Sequence, residues 1–201
     1  MAAYDAVVLA GGGAARLGGV DKPALVVGGR TMLERVVAAC AGAGRTVVVG
    51  PARELGGVLR AREDPPGGGP VAALAAGLGR VTAERVLLLA ADLPFLDRGT
   101  LERLLAALDD PEPEAALLVD AGGQEQPLTA AYRTAALRAA LAELGDPAGQ
   151  SLRRLLAPLR TVRVADRGGA AFDCDTWQEL ALARERAAAR PGVAAGEQSE
   201  S

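Results

Sequence analysis

Short, unbroken apolar runs alternate along this chain with stretches patterned as helices. The runs at 6–10, 45–49, 85–90, 115–119 and 161–164 predict strands. Helical patterns fall at 31–43, 70–79, 100–108, 134–144, 151–156 and 176–189. Thr31 is placed to cap the first helix, with Glu34 completing a capping box, and Thr176 with Glu179 repeats the pattern at the last. Pro70 suits a first helical turn. A run such as Val86-Leu87-Leu88-Leu89-Ala90 is apolar throughout, as a strand covered on both faces requires. Strands alternating with helices predict an α/β fold with a mostly parallel sheet and right-handed crossovers. Ligands then gather at the carboxyl ends of the strands. The segment 127–132 is a candidate strand of different orientation. Residues 190–201 mix Pro, Gly, Ala, Glu and Ser without an apolar period, which predicts one domain over 1–189 and a disordered tail over 190–201.

The first strand runs directly into Leu9-Ala10-Gly11-Gly12-Gly13-Ala14-Ala15-Arg16-Leu17-Gly18-Gly19-Val20-Asp21-Lys22. A glycine-rich turn between a strand and a helix lets backbone N–H groups approach a phosphate closely. Arg16 and Lys22 add fixed positive charge. Lys22 is the only lysine in the chain; every other cationic side chain is arginine. A lysine kept here calls for a compact ammonium where a planar guanidinium would not fit. The segment predicts a site for a nucleoside triphosphate, with Lys22 on an exposed loop. It is not a Walker A loop, because Pro23 follows Lys22, and not a dinucleotide fingerprint, because Arg16 stands where that motif needs glycine.

Composition narrows the chemistry. The 201 residues suit one core, half of them are apolar, and the formal net charge is −3. That balance offers no electrostatic case for nucleic acid or a membrane surface, and no apolar stretch is long enough to span a bilayer. Met1-Ala2-Ala3-Tyr4-Asp5 lacks the basic start of a signal peptide. Cys40 and Cys174 are too few and too far apart for a disulfide scaffold or zinc site, and are expected as buried hydrophobes in a reducing cytoplasm. There is no histidine. A Ser-His-Asp triad, a Cys-His pair and an HExxH site are therefore excluded. Carboxylates, arginines, one lysine, backbone amides and a hard metal ion remain as the tools.

Three carboxylate segments complete the set. Asp92, followed by Leu93-Pro94, leaves the apolar strand 86–90 at its carboxyl end. Asp92 either caps the next turn or coordinates magnesium beside phosphates, and the neighbouring glycine loop favours the metal. Glu63-Asp64-Pro65-Pro66-Gly67-Gly68-Gly69-Pro70 is a stiff loop that either lies against a base or ribose or is plain surface. Asp175, just before Thr176, is either a second metal ligand or a helix-terminus acid. Tyr132 and Arg133 are placed to face a second substrate, and Tyr132 is equally a candidate for the core.

In this order and spacing the segments resemble the molybdenum cofactor guanylyltransferase family of nucleotidyltransferases. Leu9-Ala10-Gly11-Gly12, Arg16-Leu17-Gly18 and Asp21-Lys22 resemble that family's opening signature. Glu63-Asp64, Gly69-Pro70-Val71-Ala72-Ala73 and Asp92-Leu93-Pro94 match its middle. Asp173-Cys174-Asp175-Thr176-Trp177-Gln178-Glu179-Leu180 matches its close, with aspartates for asparagines and Trp177 for proline. The resemblance implies a Rossmann-like three-layer sandwich and transfer of GMP from GTP to a phosphorylated molybdopterin-type acceptor, releasing pyrophosphate. It implies Arg16, Lys22 and Asp92 as catalytic residues. Leu9, Ala10, Gly11, Gly12, Lys22, Asp64 and Asp92 would bind the nucleotide, and Asp92 with Asp175 a magnesium ion. The expected enzyme is cytoplasmic, a monomer or weak homo-oligomer. The rivals are cytidylyl transfer to molybdopterin, transfer to a sugar phosphate or phospholactate, and a non-catalytic nucleotide-binding module.

Overall fold

The apolar runs come together as the middle of one sheet. In the computed structural model, which describes residues 3–11 and 20–189, β1 (Tyr4–Leu9) is followed by a 3-10 turn (Lys22–Ala24) and a small hairpin of β2 (Val26–Val27) and β3 (Arg30–Thr31). Then come α1 (Met32–Ala39), β4 (Thr46–Val49), β5 (Leu59–Ala61), α2 (Pro70–Leu78), β6 (Arg85–Ala90) and α3 (Arg98–Ala106). The chain continues through β7 (Ala115–Val119), β8 (Glu125–Arg133), α4 (Thr134–Leu144), α5 (Leu152–Leu156), β9 (Thr161–Ala165) and α6 (Trp177–Ala189).

The large sheet has seven strands in the order β5-β4-β1-β6-β8-β7-β9. β1 pairs in parallel with β4 and β6, β4 with β5, and β7 with β9. β8 runs antiparallel to both its neighbours, which is the change of direction expected at 127–132. Alternate residues of each central strand serve opposite faces. Ala6, Val8, Leu87 and Leu89 pack with Leu33 and Val36 of α1 and Leu101 and Leu104 of α3. Val7, Leu9, Val86 and Leu88 pack with Val71 and Leu74 of α2 and Leu137 of α4. Both faces are covered, giving the three-layer α/β sandwich. α2 lies so close to β1 that a Cβ at Gly77 would stand 2.5 Å from Val7 Cγ1.

The differences from the predicted elements are local. Thr31 is the cap rather than the first turn of α1: its hydroxyl accepts from Glu34 N at 3.1 Å, and its own N–H donates to the Glu34 carboxylate at 2.7 Å. α1 stops at Ala39 because the following turn folds back on β1, with Gly44 N–H donating to Tyr4 O at 2.8 Å. β5 carries no apolar run; it is an edge strand of three residues held by pairing to β4. A third cluster of Val27, Met32, Phe95, Cys174, Leu180 and Ala183 fastens the β2–β3 hairpin and α6 beside the carboxyl end of the sheet. Cys174 in that cluster and Cys40 at the end of α1 are buried free thiols, and burial pushes each up to about 12, so neither is a ready nucleophile. Among the described residues no helix is long and apolar enough to cross a membrane. The tail predicted over 190–201 lies outside the described residues.

Candidate active site

Parallel strands β1, β4 and β6 all deliver their carboxyl ends to one crevice, and the chain's distinctive polar residues sit on the turns that leave them. Ala10 N–H donates to Val49 O at 2.7 Å, and Ala91 N–H donates to Leu9 O at 3.1 Å, which holds the three turns in register. Gly50 takes φ 145°, and a Cβ there would fall 2.8 Å from Gly11 N, so only glycine lets the β4 turn back onto the first loop. The crevice opens as a cavity of about 400 Å³ whose walls include Leu9, Gly11, Lys22, Glu63, Pro70 and Asp92. Leu9, Gly11, Lys22 and Asp92 are thus brought together as expected. Ala10 is buried beneath the wall and offers its carbonyl to Arg53. Gly12 and Arg16 lie outside the described residues.

The charged centre is built from three elements. Lys22 opens the 3-10 turn with Pro23 at its start. Its ammonium donates a hydrogen bond to Asp175 Oδ1 and stands 3.6 Å from Asp92 Oδ2. Asp92 follows β6, and Asp175 immediately precedes the Thr176 cap of α6. There the Thr176 N–H donates to Glu179 Oε2 at 2.7 Å, and its hydroxyl accepts from Glu179 N at 3.2 Å. The capping box therefore fixes where Asp175 points toward Lys22. Lys22 is not on an exposed loop, as the sequence predicted: its side chain is only 15% exposed, because the turn folds its stem in between the two carboxylates.

Burial raises the Asp92 carboxyl above its ordinary range, with the Lys22 charge opposing the shift and Asp175 adding to it. Asp173 is raised too, by burial first and then by the charges of Asp175 and Asp92. For Lys22 burial acts to lower the ammonium, but the hydrogen bond it donates to Asp175 and the charges of Asp92, Asp175 and Asp173 outweigh it, and the net shift is upward. The centre is an excess of negative charge gathered around one cation, in a crevice with room for more cationic charge.

That excess is the test for a divalent ion. Asp92 and Asp175 offer hard oxygen donors converging on a single point now served by an ammonium. Among the described residues there is no group of three or more metal-ligating side chains. A magnesium ion takes one or two carboxylates and completes its shell with water and substrate phosphates, so this donor pair fits magnesium and does not fit a dedicated all-protein cage.

Three placements alter the site as read from sequence. Asp64 is exposed and does not line the cavity, whereas its neighbour Glu63 does. Glu63 Oε1 accepts from Gly67 N at 3.3 Å, and its Oε2 is buried without a hydrogen-bond partner among the described residues. Arg53 was invisible in the sequence. Its guanidinium donates to Asp21 Oδ1, to Asp21 Oδ2 at 3.3 Å and to Ala10 O at 3.0 Å, tying the residue after β1 to the residue before Lys22. It sits in the unpatterned stretch after β4, and no motif marks it. Tyr132 is fully buried with its hydroxyl donating to Pro127 O at 2.9 Å, and Arg133 donates to the carbonyls of Leu108, Asp110 and Pro113. Both serve the core, because Arg133 pairs with Arg85 at the end of β6 remote from Asp92.

The model described as the MobA-like NTP transferase domain matches residues 6–164. The chain belongs to this family. Among its relatives, a molybdenum cofactor guanylyltransferase of Burkholderia orbicola (strain MC0-3) is 32% identical over 197 residues, covering 90% of this chain and 95% of that protein. One of Bradyrhizobium sp. (strain ORS 278) is 38% identical over 137 residues, 63% of this chain and 64% of that protein, so the match spans less than two thirds of that relative's length. The crystal structure of molybdopterin-guanine dinucleotide biosynthesis protein A from Archaeoglobus fulgidus superposes with a TM-score of 0.72 at 20% identity, covering 92% of this chain and 98% of that one. At that identity the superposition speaks for the fold. In this MobA-like NTP transferase domain, the family match from 6 to 164 contains the cavity walls, Lys22 and Asp92, while Asp175 and α6 lie beyond it.

Proposed function

We propose that this protein transfers GMP from GTP to a phosphorylated molybdopterin-type acceptor and releases pyrophosphate. The observation that carries the reading is the Lys22 ammonium held between Asp92 and Asp175 in the wall of the cavity that Gly11 and the 63–70 loop also line. The family and the names of its relatives support the acceptor and the nucleotide.

An oxygen of the acceptor phosphate attacks the α-phosphorus of the nucleotide. The bond from the α-phosphorus to the bridging oxygen breaks, and pyrophosphate leaves with that oxygen. The nucleophile is already anionic, so no base has to take a proton, which agrees with a chain that contains no histidine. What remains for the protein is positioning and charge neutralisation. The cavity holds the nucleoside against Leu9 and Gly11. Lys22 stabilises the charge that develops on the phosphates, and Arg16 is proposed to assist it. Asp92 and Asp175 would hold a magnesium ion, which supplies neutralisation of the triphosphate. With that ion bound, the Lys22 ammonium would be free to face the phosphates. Gly12 and Asp64 are retained as proposed nucleotide contacts. A reducing, cytoplasmic setting and a monomer or weak homo-oligomer complete the proposal.

The test is pyrophosphate release from each of GTP, CTP, ATP and UTP with molybdopterin, a sugar phosphate and phospholactate as acceptors. The reading requires GTP with molybdopterin to be the fastest pair. Faster release from CTP would assign cytidylyl transfer, a different acceptor would reassign the second substrate, and binding without release would leave a nucleotide-binding module.

A further inference from the structure

Acids outnumber bases in this chain, 25 to 22, yet one cavity is walled by four arginines and, among the described residues, by no carboxylate. Its volume is about 310 Å³. It lies back to back with the cavity of Lys22 and Asp92. Gly50 lines the first and Gly11 the second, and a Cβ on Gly11 would stand 3.7 Å from the Gly50 Cα, so the shared wall is one pair of glycines thick.

The arginines reach this cavity from three separate segments. Arg53 belongs to the stretch after β4, Arg60 and Arg62 to β5 and the residue beyond it, and Arg80 to the turn after α2. Residues two apart on a strand leave the same face, and Arg60 and Arg62 both line the cavity. The Arg80 backbone is held by the hydrogen bond that Arg45 Nη1 donates to its carbonyl at 3.0 Å. Arg53 is committed to Asp21 and Ala10. Arg60, Arg62 and Arg80 form no ion pair among the described residues. Charges on an edge strand guard it against pairing with another sheet. That role accounts for Arg60 and Arg62, but not for the convergence of Arg53 and Arg80 on the same hollow. Val48 and Val58 give the hollow an apolar component.

We propose that this cavity is a second anion site, for a small molecule carrying a diphosphate, separate from the cavity of Lys22 and Asp92. A guanidinium presents its N–H groups as a fork that matches two phosphate oxygens at once. A concave wall of one sign with apolar surface in it focuses the field on an entering anion. At about 30 Å³ per water the cavity has room for roughly ten waters, the scale of a small phosphorylated molecule. Free pyrophosphate and the phosphate tail of a nucleotide share this chemistry. The inference holds whichever nucleotide and acceptor the protein uses.

Sodium pyrophosphate, and in a second series GTP, is titrated by calorimetry into the full chain without magnesium. The proteins are the wild type, Lys22→Ala, Arg60→Gln/Arg80→Gln and Arg60→Lys/Arg80→Lys. The wild type shows a site that survives Lys22→Ala and weakens at least about tenfold in Arg60→Gln/Arg80→Gln. That double variant melts within about 2 °C of wild type, because both side chains are exposed and unpaired. Arg60→Lys/Arg80→Lys keeps the charge without the fork and recovers part of the affinity. Filling of this site by pyrophosphate or by GTP upholds the proposal, and the tighter of the two names the source. Filling by neither overturns it. Binding that Lys22→Ala abolishes and Arg60→Gln/Arg80→Gln leaves unchanged also overturns it, reduces Arg60 and Arg62 to edge guards, and leaves the transferase reading standing.

Discussion

Replacing Lys22 by alanine separates catalysis from folding in a way the structure quantifies. The ammonium lies 3.6 Å from Asp92, with side chains 15% and 21% exposed, and also bonds Asp175, which is 38% exposed. At an effective dielectric constant near 20, unit charges at that distance attract by about 4–5 kcal/mol. Most of that is already offset by desolvation. Removing one partner of a fully buried pair costs about 3–5 kcal/mol. Partial exposure, above all of Asp175, screens this to about 1–2 kcal/mol. For a chain of this length that is a fall in Tm of about 2–8 °C. A positioned charge that stabilises phosphates in the transition state is worth about 10²- to 10³-fold in kcat. Lys22→Ala should therefore stay folded, lose those few degrees, and lose at least a hundredfold in pyrophosphate release.

The Tm deficit should depend on pH. Without the ammonium, burial and Asp175 raise the Asp92 carboxyl against its backbone hydrogen bond alone. A carboxyl whose folded pKa exceeds its unfolded value contributes stability in its protonated form, fully present below about pH 3.9, and loses it as pH rises through the folded pKa. The deficit of Lys22→Ala relative to wild type should be largest near pH 7 and shrink toward pH 4. Thermal melts across that range, with coupled pyrophosphate assays at pH 7, give both numbers. Lys22→Arg keeps the charge but not the compact head and should still lose most activity. Wild-type rates in Lys22→Arg would refute the argument for a point charge, and a deficit that grows at low pH would refute the account of Asp92.

Asp92→Ala should abolish magnesium-dependent turnover with a smaller effect on Tm; a magnesium titration unchanged from wild type would remove Asp92 from the metal pair. Glu63→Gln should lower discrimination between GTP and CTP, because Glu63 is, among the described residues, the one carboxylate besides Asp92 that lines the cavity, and the change halves its acceptor capacity. Asp64→Asn on its exposed neighbour should leave that ratio intact, and competition assays showing the reverse would return the base contact to Asp64. Arg53→Lys should raise the GTP KM about tenfold, since an ammonium cannot hold both oxygens of Asp21 and the Ala10 carbonyl together. An unchanged KM would make that clasp irrelevant to binding.

Sequence by itself determined the core strands, the helices and the class, but not the short β2–β3 hairpin or the edge strand β5. Runs such as 86–90 are apolar at every position, and only a strand covered on both faces buries them all, so a parallel, helix-covered sheet follows from local pattern. The caps at Thr31 and Thr176 are contacts between residues three apart, and those also are legible in the string. Lys22 and Asp92 were marked by their chemistry and by the strands they follow. What the string left undecided depends on residues far apart in it. Lys22 meets Asp175 across 153 positions, and that contact turned an expected surface lysine into a half-buried counter-ion. The choice between Glu63 and Asp64 is a choice of which adjacent side chain turns inward, and only the assembled loop shows that it is Glu63 that faces the cavity with Gly11. Arg53 joins Ala10 to Asp21 without a motif, because a long guanidinium can find carbonyls and carboxylates from many backbone positions. Tyr132 and Arg133 had the composition of a substrate contact, and strand pairing sent them to the opposite end of β6. Periodicity and capping are short-range and survive in one dimension, whereas charge convergence and burial of single side chains exist only once the sheet has assembled.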